Sequence, residues 1–341
     1  MLKKYERRDH TLLRGDQVCT RSYTYTITEV RSIGGSGIIY AATREGSQAQ
    51  YVLKEFFPNK YFHRQGVRII CNHSKELREE YAARFKKESD LSAMLYNHSR
   101  RIIRLDRIRV TRIVHKGQVY TGNAVKDCLF GLMDDLAGAG DFLSDLWDGK
   151  DPMNAELALK VMLQVLRALD ACHSQGYRHG DLSLGNLYFM EWDTATAGIG
   201  NILDFTLSTH VGGEGFDDEP AVDRGTYPFF APEIRDPKLR GLHSDVWSAA
   251  RLMLLLLTCS DSFPDLSQPL LRPEDLPYIQ CTPALAAELN RVLATALEPD
   301  PMVRRNTYPN AATLYNDLKA LLPLARRRRY RLCGKRIQRP E

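Results

Sequence analysis

The run His179-Gly180-Asp181-Leu182-Ser183-Leu184-Gly185-Asn186 is followed by Leu203-Asp204-Phe205-Thr206 and then by Ala231-Pro232-Glu233. Asp181, Asn186 and Asp204 supply an acid, an amide and a second acid. Such a set suits phosphoryl transfer, which needs a group to take a proton from a hydroxyl and oxygen ligands for a cation. Magnesium takes oxygen ligands and usually only one or two carboxylates beside substrate phosphates, a pairing that Asn186 and Asp204 provide. Asp181 is then free to accept the proton. Asp and Asn are also common in capped turns, which is the structural alternative for each of them taken singly.

Two upstream features bear on the same chemistry. Ser32-Ile33-Gly34-Gly35-Ser36-Gly37-Ile38-Ile39 lies between two expected strands. That context excludes the phosphate loops that open a helix. Glycines at 34, 35 and 37 let backbone N–H groups approach a phosphate closely, although a plain hairpin turn needs them as well. Lys54 follows the apolar Tyr51-Val52-Leu53, and an ammonium inside such a strand needs a partner. Glu88, on the helix expected after Phe85-Lys86-Lys87, is the natural candidate; the alternative is an exposed lysine at a strand end.

The elements that must hold these residues follow from periodicity. Alternation predicts strands over 22–30, 38–42 and 51–54, and further strands within 101–133 around a turn at Lys116-Gly117. Helical spacing predicts a helix over 77–95, with Leu91, Met94 and Leu95 on one face. Ala137-Gly138-Ala139-Gly140 is the expected connection to a second part built of helices over 154–174, 244–259, 283–297 and 309–321. A strand-rich first part and a helix-rich second part predict an α+β chain in two lobes with a cleft between them.

Composition is that of a globular chain: 341 residues, 43% hydrophobic and 26% charged. The most apolar stretch, Ala249 to Thr258, is too short for a membrane span and reads as a buried core helix. The basic N-terminus has no apolar run behind it and does not read as a secretory signal. Seven scattered cysteines without a C-x-x-C pair argue for reduced thiols and a cytoplasmic setting. The net charge of +5 is a property of the end: residues 326–341 carry eight of the 47 basic residues and one of the 42 acids. This basic tail, 326–339, is either a solvated end or a patch for an anionic partner, lipid or nucleic acid.

Together these motifs make the chain resemble a eukaryotic-type (Hanks-type) protein kinase domain over about residues 24 to 322. Lys54-Glu55-Phe56-Phe57-Pro58 with a long link to the helix is similar to a bacterial serine/threonine branch. The resemblance implies a bilobal protein-kinase-like fold, with a small antiparallel-sheet N-lobe and a larger helical C-lobe. It implies an N-terminal extension over 1–20, N-lobe and hinge over 21–136, C-lobe over 137–325 and the tail over 326–341. It further implies ATP and magnesium as cofactors and a protein substrate phosphorylated on Ser or Thr.

Residue by residue, Gly34 and Gly37 match the second and third glycines of the family's nucleotide loop, with Gly35 and Ser36 between them and Ile39 at its roof. Lys54 matches the third-strand lysine and Glu88 its helix partner. Asp181 matches the catalytic base; Asn186 and Asp204 match the metal ligands. Val52 falls above the adenine ring and Tyr188 at its floor, and the hinge is expected at Met133 to Leu136, including Asp134. Gly225 to Glu233 resembles the end of the activation loop, Asp245-Val246-Trp247-Ser248 the start of the helix that anchors it, and Arg304 the partner of Glu233. Thr226 resembles the position that orients the base in serine/threonine members.

The chain departs from the family pattern at five places. Ser32 stands for the first loop glycine, Gly180 for the arginine before the base, and Thr206 for the glycine of Asp-Phe-Gly, where it is expected to stiffen the loop. Ser183 stands for the catalytic-loop lysine, and Val52 with Tyr188 narrows the adenine space. Without the arginine, and with no Ser or Thr from 210 to 225, control by activation-loop phosphorylation is not expected. Two other readings stay open: a pseudokinase acting as a scaffold or binding module, and a small-molecule phosphotransferase of the aminoglycoside or choline type.

Overall fold

The computed structural model describes residues 11–58, 61–134, 152–191, 193–211, 225–263 and 265–326. Leu136, the 137–140 connection, the acidic residues from 214 to 223 and the tail beyond Arg326 lie outside the described residues. The chain divides into two compact units, Met1–Gly140 with Asn201–Ser208, and Asp141–Gly200 with Thr209–Glu341.

The first unit is built on an antiparallel sheet. Its strands are β1 (Gln17–Cys19), β2 (Thr24–Ile33), β3 (Gly37–Arg44), β4 (Gln50–Phe56), β5 (Phe62–Gln65), β6 (Arg68–Cys71), β7 (Asp106–Ile108), β8 (Arg112–His115), β9 (Gln118–Thr121) and β10 (Phe130–Asp134). Eight of them join in the order β7-β10-β4-β3-β2-β1-β8-β9, while β5 and β6 form a separate hairpin. Alternation buries Tyr25 and Ile27 of β2, Ile38, Tyr40 and Ala42 of β3 and Leu53 of β4 in one core with Phe56, Phe85 and Phe130. The β3–β4 register sets Lys54 opposite Ile39 and Val52 opposite Ala41. On its other side β4 sets Lys54 opposite Gly131 and Val52 opposite Met133.

Helix α1 (Lys75–His98) starts where the Ser74 hydroxyl accepts the Leu77 N–H at 3.1 Å. It buries Phe85, Glu88, Ser89, Leu91, Ser92 and Leu95. Leu91 and Leu95 therefore share the core face, while Met94 is only half-buried. Ser89 donates to the Leu105 carbonyl at 2.7 Å and Ser92 accepts the Leu105 N–H at 3.0 Å, which fixes the helix against the strand that follows. A Cβ on Gly131 would fall 2.3 Å from Leu105 Cδ1, so a larger residue there would have to displace the Leu105 side chain.

The second unit is mainly helical: α2 (Ala155–His173), α3 (Leu242–Thr258), α4 (Pro283–Ala296), α5 (Pro301–Thr307) and α6 (Ala311–Arg326). It also holds β11 (Tyr177–Arg178), β12 (Leu187–Met190) and β14 (Thr209–His210); β13 (Ile199–Ile202) ends at the segment that joins the first unit. The apolar stretch of α3 is buried from His243 to Leu257, as a core helix requires. Asn154 caps α2 by accepting the Leu157 N–H at 2.9 Å, and Met153 donates to the Leu256 carbonyl at 2.7 Å to dock that end on α3. Among the described residues, no helix is long and apolar enough to cross a membrane.

Candidate active site

In the first unit four side chains meet. Lys54 Nζ lies 2.6 Å from Glu88 Oε1 and 3.2 Å from Asp204 Oδ1. Thr206 Oγ1 lies within hydrogen-bond distance of both Asp204 Oδ1, at 2.6 Å, and Glu88 Oε2, at 2.9 Å. Lys54 and Glu88 are almost fully buried, and about a quarter of the Asp204 side chain is exposed. A buried ammonium flanked by two acids stays charged: burial works to lower the Lys54 pKa, but Asp204 and Glu88 outweigh it and raise it. Burial also works upward on Asp204, yet the Lys54 ammonium and the Thr206 hydroxyl hold that carboxyl down at about 2. On Glu88 burial wins over the pull of Lys54 and pushes the carboxyl up to about 7. The three charges thus settle as a lysine cation, an ionised Asp204 and a glutamate within reach of neutrality.

Local structure places this set. Asp204 adopts a left-handed backbone with φ of 63°, a conformation that Asp reaches more readily than most non-glycine residues because its side chain can hydrogen-bond locally. The Thr206 N–H donates back to Asp204 Oδ1 at 3.3 Å and closes a turn around the carboxylate. Of the loop glycines, Gly34 donates from its N–H to the Gly37 carbonyl at 2.8 Å. A Cβ on Gly37 would meet the Glu55 carbonyl at 2.5 Å, whereas one on Gly35 would meet nothing within 4 Å. Gly34, Gly35 and Ser36 are open or half-open, and Ile39 is half-buried opposite Lys54. Val52 is buried on β4; Met133 is half-buried beside it, and Asp134 pairs with Tyr51.

The second unit gathers Asp181, Asn186 and Thr226. Thr226 donates to Asp181 Oδ1 twice, from its backbone N–H at 2.9 Å and its hydroxyl at 2.8 Å. Asn186 donates from Nδ2 to the Asp181 carbonyl at 2.8 Å and to Asp181 Oδ2 at 3.2 Å. Asn186 sits at the end of a short 3-10 turn, Leu184–Asn186, which follows the buried Ser183. Gly180 has φ of 82°, so the residue before Asp181 occupies a conformation that glycine reaches without penalty. Tyr188 is half-buried on β12.

Two anchors lie behind this loop. Asp245, on α3, accepts the His179 N–H at 2.7 Å and the Gly180 N–H at 2.9 Å. Glu233 accepts from the Ser244 hydroxyl at 2.6 Å and pairs with Arg304, which is fully buried. Sequence reading named Asp245 only as a helix start and did not single out His173, which bonds to Asp245 at 3.0 Å. A histidine near the end of an apolar helix carries no signal of its own.

The donors suit a hard cation. Asp204 is ionised, and Asn186 spends its amide nitrogen on Asp181, which leaves the amide oxygen as its ligand atom. Among the described residues no three His, Cys, Asp or Glu side chains form a metal cluster. A magnesium ion at Asn186 or Asp204 would draw its remaining oxygens from phosphate and water, which is its usual habit.

Comparison with known proteins agrees with this geometry. Residues 29–304 match the family described as protein kinase domain. The chain is 28% identical over 221 residues to CBL-interacting protein kinase 28 of Oryza sativa subsp. japonica, covering 64% of this chain and 48% of that protein. It is 27% identical over 239 residues to CBL-interacting serine/threonine-protein kinase 15 of Arabidopsis thaliana, covering 67% of this chain and 55% of that protein. The chain spans about half the length of these two relatives. A mutant of the PknI kinase domain from Mycobacterium tuberculosis shares the fold, with a TM-score of 0.57 at 18% identity over 91% of this chain and 99% of that one. With an antiparallel-sheet N-lobe, a helical C-lobe and a family match across most of its length, the chain belongs to the protein kinase domain family.

Proposed function

We propose that this chain is an ATP- and magnesium-dependent protein kinase that transfers the γ-phosphate to serine and threonine hydroxyls. The observation that carries the reading is the pair of hydrogen bonds from Thr226 to Asp181 Oδ1 at 2.9 and 2.8 Å, which orients a carboxylate to receive a hydroxyl proton. Asn186 holds the same residue from the other side, so the base is fixed at both its backbone and its carboxylate. Lys54 would bind the α and β phosphates with an ammonium kept charged by Glu88 and Asp204. Asn186 and Asp204 are each a residue that would take a magnesium ion, which would supply charge neutralisation at phosphate oxygens.

Ser183 leaves no Lys or Arg between Asp181 and Asn186. Losing one charge-stabilising donor costs about 10²–10³ in rate, so turnover should be slow beside family members that keep the lysine. Gly180, and the lack of Ser and Thr from 210 to 225, support activity without activation-loop phosphorylation. The Lys54-to-Pro58 segment supports a bacterial branch, and scattered cysteines support a cytoplasmic setting. The basic tail supports contact with an anionic partner, lipid or nucleic acid. The Arg304 and Ser244 bonds to Glu233 and the Arg251 bond to the Pro228 carbonyl support a protein substrate over a small hydroxyl compound, because they brace the segment from Gly225 to Glu233.

The test is calorimetric titration with ATP, with and without magnesium, of the wild type and of Asp204→Ala, followed by phosphoryl transfer to mixed protein substrates by the wild type and Asp181→Asn. The reading expects magnesium-dependent binding that Asp204→Ala loses, and transfer that Asp181→Asn abolishes. No binding at millimolar ATP would overturn the reading and favour a scaffold. Unchanged transfer in Asp181→Asn would overturn the mechanism.

A further inference from the structure

We infer that Thr206 is a positioning residue that clasps Asp204 to Glu88, so that the lysine–glutamate pair and the metal-facing carboxylate hold one another in place. The inference rests on the kinase reading for the meaning of Asp204, but the clasp itself stands on distances. A glycine at this position offers only a backbone N–H. Thr206 offers that N–H at 3.3 Å and adds a hydroxyl that reaches Asp204 Oδ1 at 2.6 Å and Glu88 Oε2 at 2.9 Å. Lys54 Nζ is 3.5 Å from the same hydroxyl oxygen, so all four side chains share one junction.

The clasp has work to do because of the backbone beneath it. Asp204 is held at a φ of 63°, a left-handed conformation that Asp tolerates better than most residues when its side chain bonds locally. On one side, the segment is tied by its main chain: the Ile103 N–H donates to the Ile202 carbonyl and the Ile202 N–H to the Arg101 carbonyl, each at 2.9 Å. On the other, Phe205 is buried and its carbonyl accepts the Ser208 N–H at 3.1 Å. Those bonds fix the track of the segment and leave the Asp204 carboxylate to be aimed by Lys54 and Thr206. Because Glu88 belongs to α1, the hydroxyl also links the carboxylate's orientation to the helix. Displacing α1 would break the Thr206 contact together with the 2.6 Å Lys54–Glu88 bond. Threonine therefore favours a preassembled arrangement of these groups, in keeping with a chain that has no Ser or Thr from 210 to 225.

The experiment compares Thr206→Val, which keeps the shape and removes the hydroxyl, with Thr206→Ser, which keeps the hydroxyl. Two readouts are taken on the full chain. The first is amide hydrogen exchange of 204–208 and of α1 around Glu88 in nucleotide-free protein. The second is ADP affinity with and without magnesium by calorimetry. Thr206→Val should exchange about tenfold faster at 204–208 and lose about tenfold of the magnesium-dependent gain in affinity, while ADP binding without magnesium stays within about twofold. Thr206→Ser should stay near wild type in both. Wild-type exchange in Thr206→Val, or equal damage in both variants, would overturn the clasp. If Thr206→Val fails to fold, Thr206→Gly takes its place as the hydroxyl-free variant with the same expectations. If the wild type binds no nucleotide, the kinase reading fails, and the exchange comparison alone decides the clasp.

Discussion

His173 and Asp245 form a buried hydrogen bond of 3.0 Å whose direction is fixed by a third group. The Ala311 N–H donates to His173 Nδ1 at 3.0 Å, so a neutral imidazole carries its proton on Nε2 and donates it to Asp245 Oδ2. The two Asp245 oxygens also receive the N–H groups of His179 and Gly180. Burial works upward on the Asp245 carboxyl, but the His173 hydrogen bond, with the nearby His179 and Arg178 side chains, holds it below the usual carboxylate range. Asp245→Asn should therefore be costly, because an amide offers one acceptor oxygen and turns an NH₂ toward a backbone donor. The expected loss is about 2–4 kcal/mol in chemical denaturation. Phosphoryl transfer should fall more than nucleotide affinity, since the loop that carries Asp181 loses its anchor.

Glu233 and Arg304 allow a test of a buried ion pair. Arg304 is fully buried, donates from Nε to the His243 carbonyl at 3.1 Å, and lies 5.1 Å over the Trp247 ring. Removing one partner strands the other, so Arg304→Met should cost about 3–5 kcal/mol in urea denaturation. The double variant Glu233→Met with Arg304→Met should cost clearly less than the sum of the single changes. Additive losses would mean that the two side chains act independently.

The parts of the fold that periodicity exposes were those whose side chains meet the core by themselves. Strands β2, β3 and β4 follow from alternation, and α3 from the unbroken run ending at Thr258. The β5–β6 hairpin did not show itself, because Arg64 stands where a strand would bury an apolar residue. Its burial is matched by Glu55 Oε2, which it meets at 2.5 Å and which also accepts the Tyr40 hydroxyl at 2.7 Å, and by the Phe57 ring 5.7 Å from its guanidinium. Arg64 and Glu55 are nine residues apart on different strands, and the periodicity of neither strand joins them. The same holds at the candidate site. Spacing suggested Glu88 as the companion of Lys54, but the Thr206 hydroxyl between Glu88 and Asp204 depends on a contact spanning more than a hundred residues.

Gly37 and Gly35 differ sharply in what a methyl group would do. At Gly37 a Cβ would sit 2.5 Å from the Glu55 carbonyl, and β3 and β4 would have to part beside Lys54. Gly37→Ala should lose about 1–3 kcal/mol in thermal or chemical denaturation and bind nucleotide more weakly. Gly35→Ala, with nothing within 4 Å, should stay within about 0.5 kcal/mol of wild type. Equal stability of the two variants would show that the strands yield at no cost.

Glu88 gives stability a pH dependence of definite sign. Its carboxyl rises from an ordinary 4.5 to about 7 in the folded protein, so the folded state holds the proton more tightly than the unfolded chain. The associated stability is fully present below pH 4.5 and is lost as pH rises through 7. Asp204, held down at about 2, has the opposite dependence, but its contribution is lost only in acid below its ordinary 3.8. Glu88→Gln mimics the protonated carboxyl and cannot titrate. The difference in unfolding free energy between wild type and Glu88→Gln should therefore shift against the wild type by about 2–3 kcal/mol from pH 5 to pH 8. Denaturant titrations at pH 5, 6, 7 and 8 measure it, with other titrating groups cancelling in the comparison. A difference that does not change with pH would mean that Lys54 keeps Glu88 ionised throughout, and that the buried pair is an ion pair at every pH tested.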